Sequence, residues 1–407
     1  MNRQAPTPPR GLLRRPLVQV LALLLCGAGA AALAWRWPYE GPRAPILREA
    51  TTTGVLAVTG LLLMLLVAAR FRPRVMSVAL ALCAWWIAVE TWAAPHLVFQ
   101  FRLLQYFAAQ DPDHLPKGVG PDWNSDSLRG TPAPSAFTED TTNVVFLGDS
   151  YTYGLHLKSS KEAFPTLVAE GLRAAEPDIA LRVANFGWSS SSPYLSFRRL
   201  QSIGDHYHPD IVVLCIDMTD FGDDIRWRNI VEERGIYWFY KRLPITLRIA
   251  QLLAPDAYER FVAWTVDAPA RRFFHSEAPL EETRRHMEPL VGNVADIYAW
   301  CTERGADFVL VVLPRSYQHS RRESPNNHEG DEYEVLGPYA LEPFKFFDEL
   351  RARVPYPIVS LLSAFQTTDV FPLCFDHDPH WLPAGHRVAA DALIPELLPR
   401  VRARAGR

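Results

Sequence analysis

From residue 143 onward the chain alternates between short β-branched runs and helical segments, and this alternation narrows the possible folds more than any other feature. NVVFLG (143–148) is an apolar run ending in Gly, and a helical stretch follows at about Glu162–Ala174. LRVANFG (181–187) ends the same way, and a helix at about 194–205 leads into PDIVVLCID (209–217). ADFVLVVLP (306–314) is a fourth run and YPIVSL (356–361) a shorter fifth. Continuous β-branched runs separated by helices predict an α/β fold with a parallel sheet covered on both faces. Such sheets carry their reactive groups at the carboxyl ends of the strands, so the search for chemistry starts there.

Between the third and fourth runs, roughly 222–300, lies a mostly helical insertion rich in aromatics, among them Trp227, Tyr237, Trp238, Phe239, Tyr240, Trp264, Phe273 and Phe274. It reads either as a cap or acyl pocket over the site, or as an added helical layer with its own packing. His319 to Glu334 shows no periodicity and is expected to be an exposed loop.

Hydrophobicity is concentrated at the front. Leu17–Trp35, Thr51–Ala69 and Val75–Ala94 are apolar stretches, the last interrupted only by Glu90. Each approaches the ~20 residues that cross ~30 Å of hydrocarbon as a helix. Three transmembrane helices are therefore expected within 1–95. A signal peptide is the rival reading of the first, given Arg10, Arg14 and Arg15 ahead of it. Arginines before the first span and in the second loop (Arg70, Arg72, Arg74) place the N-terminus in the cytoplasm. Three crossings then put everything after about residue 95 outside the cytoplasm, periplasmic or extracellular. Residues 95–108 read as an amphipathic helix along the membrane surface, and Asp111–Thr142 as a polar linker, so 96–141 forms a lead-in to a domain spanning 142–403.

A net charge of −3 gives no sign of a nucleic-acid partner. The cysteines are Cys26, Cys83, Cys215, Cys301 and Cys374, with no CxxC spacing, and a Cys301–Cys374 disulfide stays open for an oxidising compartment.

The chemistry lies in two segments. The first strand runs into Gly148-Asp149-Ser150-Tyr151-Thr152-Tyr153-Gly154. A serine on a tight turn after a strand lifts its hydroxyl above the sheet edge, and Gly148 leaves room for a substrate to approach. The next helix N-terminus offers backbone N–H groups to an oxyanion. Serine needs a base. The candidate is His380 in Asp376-His377-Asp378-Pro379-His380-Trp381, with an acid two residues before it to hold the imidazole tautomer. The same residue types bind metals, but so local a cluster gives poor coordination geometry, and neither metal nor cofactor is expected.

In these motifs the chain resembles the SGNH/GDSL hydrolases, particularly membrane-linked bacterial members with a D-x-H-W motif. GDSYTYG (148–154), NFGWSSSSP (185–193), PDIVVLCIDMTDFGDD (209–224) and DPHWLPAGH (378–386) fall in the family's block order, and NSDSLRG (124–130) resembles the segment ahead of the nucleophile. The resemblance covers about 122–403 and implies a flavodoxin-like sheet, Ser150 as nucleophile, His380 as base, and an oxyanion hole from the N–H groups of Ser150 and Gly187. Thr219 stands where the family's third block carries an Asn donor. Asp378 is the chosen acid and Asp376 the reserve. Asp149, Tyr151, Asp220 and Arg315 are candidates for substrate contact, although an arginine in Arg315's position is more often simply solvated. The implied function is ester hydrolysis, of O-deacylase type, on an acylated small molecule, glycan or envelope component. A glycan O-acyltransferase and an inactive glycan-binding or assembly protein are the alternatives.

Overall fold

The computed structural model describes residues 122–232, 234, 250–251, 253–266, 268–269 and 271–406, with 59–60 and 85–86. The expected membrane spans, the amphipathic segment at 95–108 and the aromatic run 237–240 otherwise lie outside the described residues. Thr59, Gly60, Trp85 and Trp86 are helical, and a methyl group on Gly60 would meet the Trp86 ring at 3.5 Å. Among the described residues no helix is long and apolar enough to cross a membrane. By its contacts the chain divides into two units, Met1–Arg102 with Trp238–Pro255, and Leu103–Tyr237 with Asp256–Arg407. The sheet belongs to the second.

The five apolar runs form five parallel strands: β1 (Thr142–Leu147), β2 (Leu181–Asn185), β3 (Ile211–Ile216), β4 (Asp307–Val312) and β5 (Ile358–Ser360), in the order β2-β1-β3-β4-β5. That is the doubly wound, flavodoxin-like arrangement. β1 pairs with β3 from Val144↔Ile211 to Leu147↔Leu214, so their carboxyl ends lie side by side at the point where the strand order reverses. This is where such folds leave a crevice.

Both sheet faces are dry, which explains the unbroken hydrophobic runs. Val145, Leu147, Val212, Leu214, Leu310 and Val312 point into one core with α3 (Pro193–Ile203), α6 (Leu280–Glu303) and α8 (Glu342–Leu350). Val144, Phe146, Ile211, Val213, Val309 and Val311 point into the other with α2 (Phe164–Ala175), α9 (Leu362–Thr367) and α10 (Pro383–Ala405). Further helices among the described residues are α1 (Ser150–Tyr153), α4 (Asp220–Val231), α5 (Pro255–Val266) and α7 (Ser316–His319).

Four expectations change. The stretch 222–300 is not all insertion, because α6 covers the sheet through Met287, Leu290, Val294 and Ile297 as the crossover between β3 and β4. Part of the presumed linker is packed: Leu128 and Phe137 are buried, and Asn124 Oδ1 accepts from the N–H groups of Asp126 and Leu128. The His319–Glu334 loop buries Glu323, Ser324 and Glu329 because their polar atoms find partners in the rest of the domain, and it buries His319 with its ring against Phe365. Cys301 and Cys374 are free thiols in the cores on opposite faces of the sheet, so they do not pair.

α10 begins at Pro383, whose missing N–H costs nothing in a first helical turn. One turn in, His386 stacks on Phe164 and its Nδ1 accepts the Phe164 N–H at 3.2 Å. The ring must stay neutral to do so, and burial, with His380 adding to it, pushes its pKa down to about 3 from an ordinary 6.5. The unfolded chain takes up this proton near 6.5 while the folded one refuses it, so this stabilisation is present above that pH and is lost as pH falls toward 3. In denaturant titrations across that window, His386→Asn should show a shallower loss of stability than the wild type; equal slopes would refute the assignment.

Candidate active site

The site is built on the turn after β1. Asp149 caps α1, its Oδ1 accepting the Tyr151 N–H at 2.9 Å, and Ser150 is the first helical residue. Gly148 has φ +153°, and a Cβ there would meet Thr152 Oγ1 at 2.2 Å and the Cys215 carbonyl oxygen at 2.7 Å. Glycine is therefore required so that the turn can close on its own helix and on β3, not to clear space for a substrate.

His380 approaches Ser150 from the loop before α10. Its Nε2 lies 2.7 Å from Ser150 Oγ, and its Nδ1 bonds Asp378 Oδ1, which also accepts the His380 backbone N–H at 2.9 Å. Asp376 instead takes the Asn326 amide and stands apart from the imidazole. Burial acts to raise the Asp378 pKa, but hydrogen bonds from His380 and the nearby imidazoles outweigh it and hold the carboxyl well below its usual range. With Nδ1–H committed to a carboxylate, Nε2 is left bare to accept the serine proton.

The position of His380 is enforced from several sides. The Tyr151 hydroxyl donates to the Pro379 carbonyl at 2.8 Å, and its ring lies 4.9 Å from the His380 ring and 4.9 Å from that of Trp381. Glu323 accepts the N–H groups of Leu373 and Cys374 at 2.9 to 3.0 Å, and the Ser324 hydroxyl donates to the Phe375 carbonyl at 2.8 Å. The 319–334 loop thus clamps the segment carrying Asp378 and His380.

Beneath the serine lies a buried charge cluster. Arg315 donates to Asp217 and to Glu329, and Arg272 donates to Glu329 at 2.8 Å. The carboxylates of Asp149, Asp217 and Asp220 sit close enough together to share a cation, and the Arg315 guanidinium already supplies the positive charge there. Burial would raise Asp217, but Arg315 and the Thr219 hydrogen bonds hold it below its ordinary value. Burial and then Asp217 push Asp149 well up, and burial, Asp149 and Asp217 do the same to Asp220.

Several expected roles are reassigned by this geometry. Asp149, Tyr151, Asp220 and Arg315 are all buried and partnered within the protein, so none offers a surface for substrate. Of the expected oxyanion donors, Gly187 N–H donates to Asn185 Oδ1 at 2.9 Å, and the single hydroxyl proton of Thr219 goes to Asp217 Oδ1 at 2.6 Å. Gly187 is a glycine because a Cβ would meet the Tyr153 nitrogen at 2.4 Å. That leaves the Ser150 N–H, in a first helical turn where no intrahelical acceptor exists.

His156 was missed in the sequence. Its Nε2 lies 3.3 Å from Asp378 Oδ2, and its ring packs at 5.5 Å from the His380 ring. The loop bearing it is held by Arg129, whose guanidinium donates to the carbonyls of Gly154 and Leu157 at 2.9 and 2.8 Å. No periodicity or local acid marks His156, since its partner is distant in sequence.

No protein-family model matches the chain, and no curated protein matches it. Among solved structures it is similar to TesA at 15% identity, covering 64% of this chain and 99% of that one, with a TM-score of 0.35. It is also similar to a catalytic mutant of an acetylxylan esterase from Geobacillus stearothermophilus, at 16% identity over 64% of this chain and 96% of that one, TM-score 0.35. A two-domain esterase active on acetylated mannans gives 14% identity over 64% of this chain and 49% of that one, TM-score 0.37. Likenesses of this strength carry no inference about activity.

The Arg315 cluster sets a stability requirement. Arg315→Met leaves Asp217 and Glu329 without their shared cation and should cost about 3–5 kcal/mol of unfolding free energy. Arg315→Lys should recover only part of this, because an ammonium cannot span two carboxylates as a planar fork does. Chemical denaturation of both variants checks it, and a cost under about 1 kcal/mol for the Met variant would be incompatible with a buried ion cluster.

Proposed function

We propose that the chain is a serine ester hydrolase whose nucleophile is Ser150, with His380 as general base and Asp378 as the acid that orients it. One observation carries the reading: a continuous hydrogen-bonded path from the Ser150 hydroxyl through the imidazole to a carboxylate held ionised. A free hydroxyl is a weak nucleophile, and an imidazole accepting its proton as the bond to carbon forms removes that obstacle.

In the proposed cycle, Ser150 Oγ attacks the ester carbonyl as its proton passes to His380 Nε2. Asp378 stabilises the resulting imidazolium. The carbonyl oxygen, now negative, sits against the Ser150 N–H and the positive end of α1. The His380 proton then moves to the departing alkoxide, leaving an acyl-serine. Water, deprotonated by His380, attacks that ester, and the acid and free serine are released. With Gly187 and Thr219 committed elsewhere, this oxyanion site rests on fewer donors than the SGNH/GDSL resemblance implies.

The substrate we propose is an acylated glycan or envelope component met outside the cytoplasm, by a chain anchored through its apolar front. The support is the three apolar stretches with their arginine distribution, and the order of the four sequence blocks. A glycan acceptor in place of water would make the same acyl-serine a transferase intermediate.

Labelling with a serine-reactive fluorophosphonate tests the core of the reading. The intact chain should label at one serine and Ser150→Ala should not. A folded protein in which Ser150 stays unlabelled would sink it. His380→Ala should lower turnover of a small acetyl ester by about 10³-fold or more, and Asp378→Asn by as much as about 10⁴-fold, while Asp376→Asn leaves it near wild type.

A further inference from the structure

Three imidazoles converge on the carboxylate of Asp378. His380 takes Oδ1, while Oδ2 is approached by His156 Nε2 at 3.3 Å and His328 Nδ1 at 3.9 Å. One imidazole suffices to use a carboxylate in proton transfer, so the other two lack a purpose in that chemistry. They come from separate places: His156 from the Arg129-held turn after α1, and His328 from the loop clamping the Asp378 segment. Both side chains are solvent-accessible, at 44% and 64%, whereas that of Asp378 is 23% exposed.

We infer that His156, His328 and Asp378 Oδ2 form a binding site for a divalent transition metal, zinc being the best match, beside the catalytic histidine. Zinc takes imidazole nitrogen at ~2.0–2.1 Å and carboxylate oxygen at ~2.0–2.2 Å, so two ligands at a tetrahedral angle stand about 3.3–3.5 Å apart. The His156–Asp378 separation of 3.3 Å is already that distance. His328 must swing inward from its contact with the His377 carbonyl, 3.4 Å from Nδ1, and its exposed side chain is free to turn. Two imidazoles and a carboxylate from distant parts of the chain escape the strain that rules out a site made within residues 376–386 alone. Metal binding here would displace protons from the imidazole nitrogens that ligate, so zinc uptake should release protons.

Occupancy has a direct consequence, which rests on the proposed esterase chemistry. A metal on Oδ2 draws the negative charge of Asp378 away from His380, so the imidazolium formed during attack loses its stabilising partner. It also sits within reach of the His380 ring, which shares the same cluster. Zinc is thereby an inhibitor that switches off the base without touching Ser150.

Calorimetric titration of the full chain with Zn²⁺ alone tests the site, independently of turnover. Wild type and Ser150→Ala should bind one zinc with equal affinity. His156→Ala and His328→Ala should each weaken it by at least the roughly 10–100-fold that loss of even an outer partner costs. The consequence is read separately, as the rate of fluorophosphonate labelling with zinc relative to each protein's own zinc-free rate. Zinc should slow wild-type labelling, and the half-inhibiting concentration should rise about tenfold or more in either histidine variant. Unaltered zinc affinity in both variants, or no zinc binding by wild type, would overturn the site. Zinc binding with no effect on labelling would overturn the switch. A chain that binds zinc as described but never labels at Ser150 would retain the site and fail the esterase reading instead. His328 is exposed, so His328→Ala keeps the test open if His156→Ala misfolds.

Discussion

Parallel pairing of β1 with β3 is the constraint on which the rest of the domain turns. It sets the carboxyl ends of two strands side by side where the chain leaves for opposite sheet faces, so the loops after them must share one small volume. The Ser150 turn, the Asp217–Asp220 turn and Arg315 after β4 meet there. Three acidic side chains crowded into a dry interior would repel one another, and the Arg315 guanidinium sets a positive charge among them while the carboxyl pKa values of Asp149 and Asp220 are pushed up. The Ser150 turn is therefore seated on a buried electrostatic cluster.

The second requirement is to bring a histidine from near the end of the chain to that seat. The loop before α10 closes partly on itself, with an antiparallel bridge between Cys374 and Trp381 and the Phe375 N–H donating to the His380 carbonyl at 3.0 Å. Glu323 and Ser324 take over its unpaired N–H and carbonyl groups, and the Tyr151 hydroxyl ties Pro379 to the helix that carries Ser150. Tyr151 thus joins Ser150 and His380 in one packed unit, with its ring against both His380 and Trp381. A serine and an imidazole at 2.7 Å are the product of these supports rather than of local sequence.

Much of the architecture is legible in the residues. Each of the five apolar runs is a strand at nearly its expected limits, since β-branched runs bounded by Gly, Pro and Asp have few alternatives. The pairing of Ser150 with His380 and Asp378 is also foreshadowed, because a serine after a strand and a histidine two residues from an acid are recognisable before folding. The helix at 280–303 was absorbed into a presumed insertion because its aromatic-rich neighbours share its helical composition, and only the sheet face it covers distinguishes it.

What the sequence determined by itself was therefore the set of regular elements and the residue types able to do acyl chemistry, as these depend on local periodicity and on spacings of a few residues. What only the tertiary structure decided was which polar groups are already spoken for. Gly187 N–H faces Asn185, the Thr219 hydroxyl faces Asp217, and Arg315 is enclosed by two carboxylates. His156 meets Asp378 across most of the domain's length in sequence. Hydrogen bonds and ion pairs act over about 3 Å, and separation along the chain says nothing about that distance until the sheet has assembled.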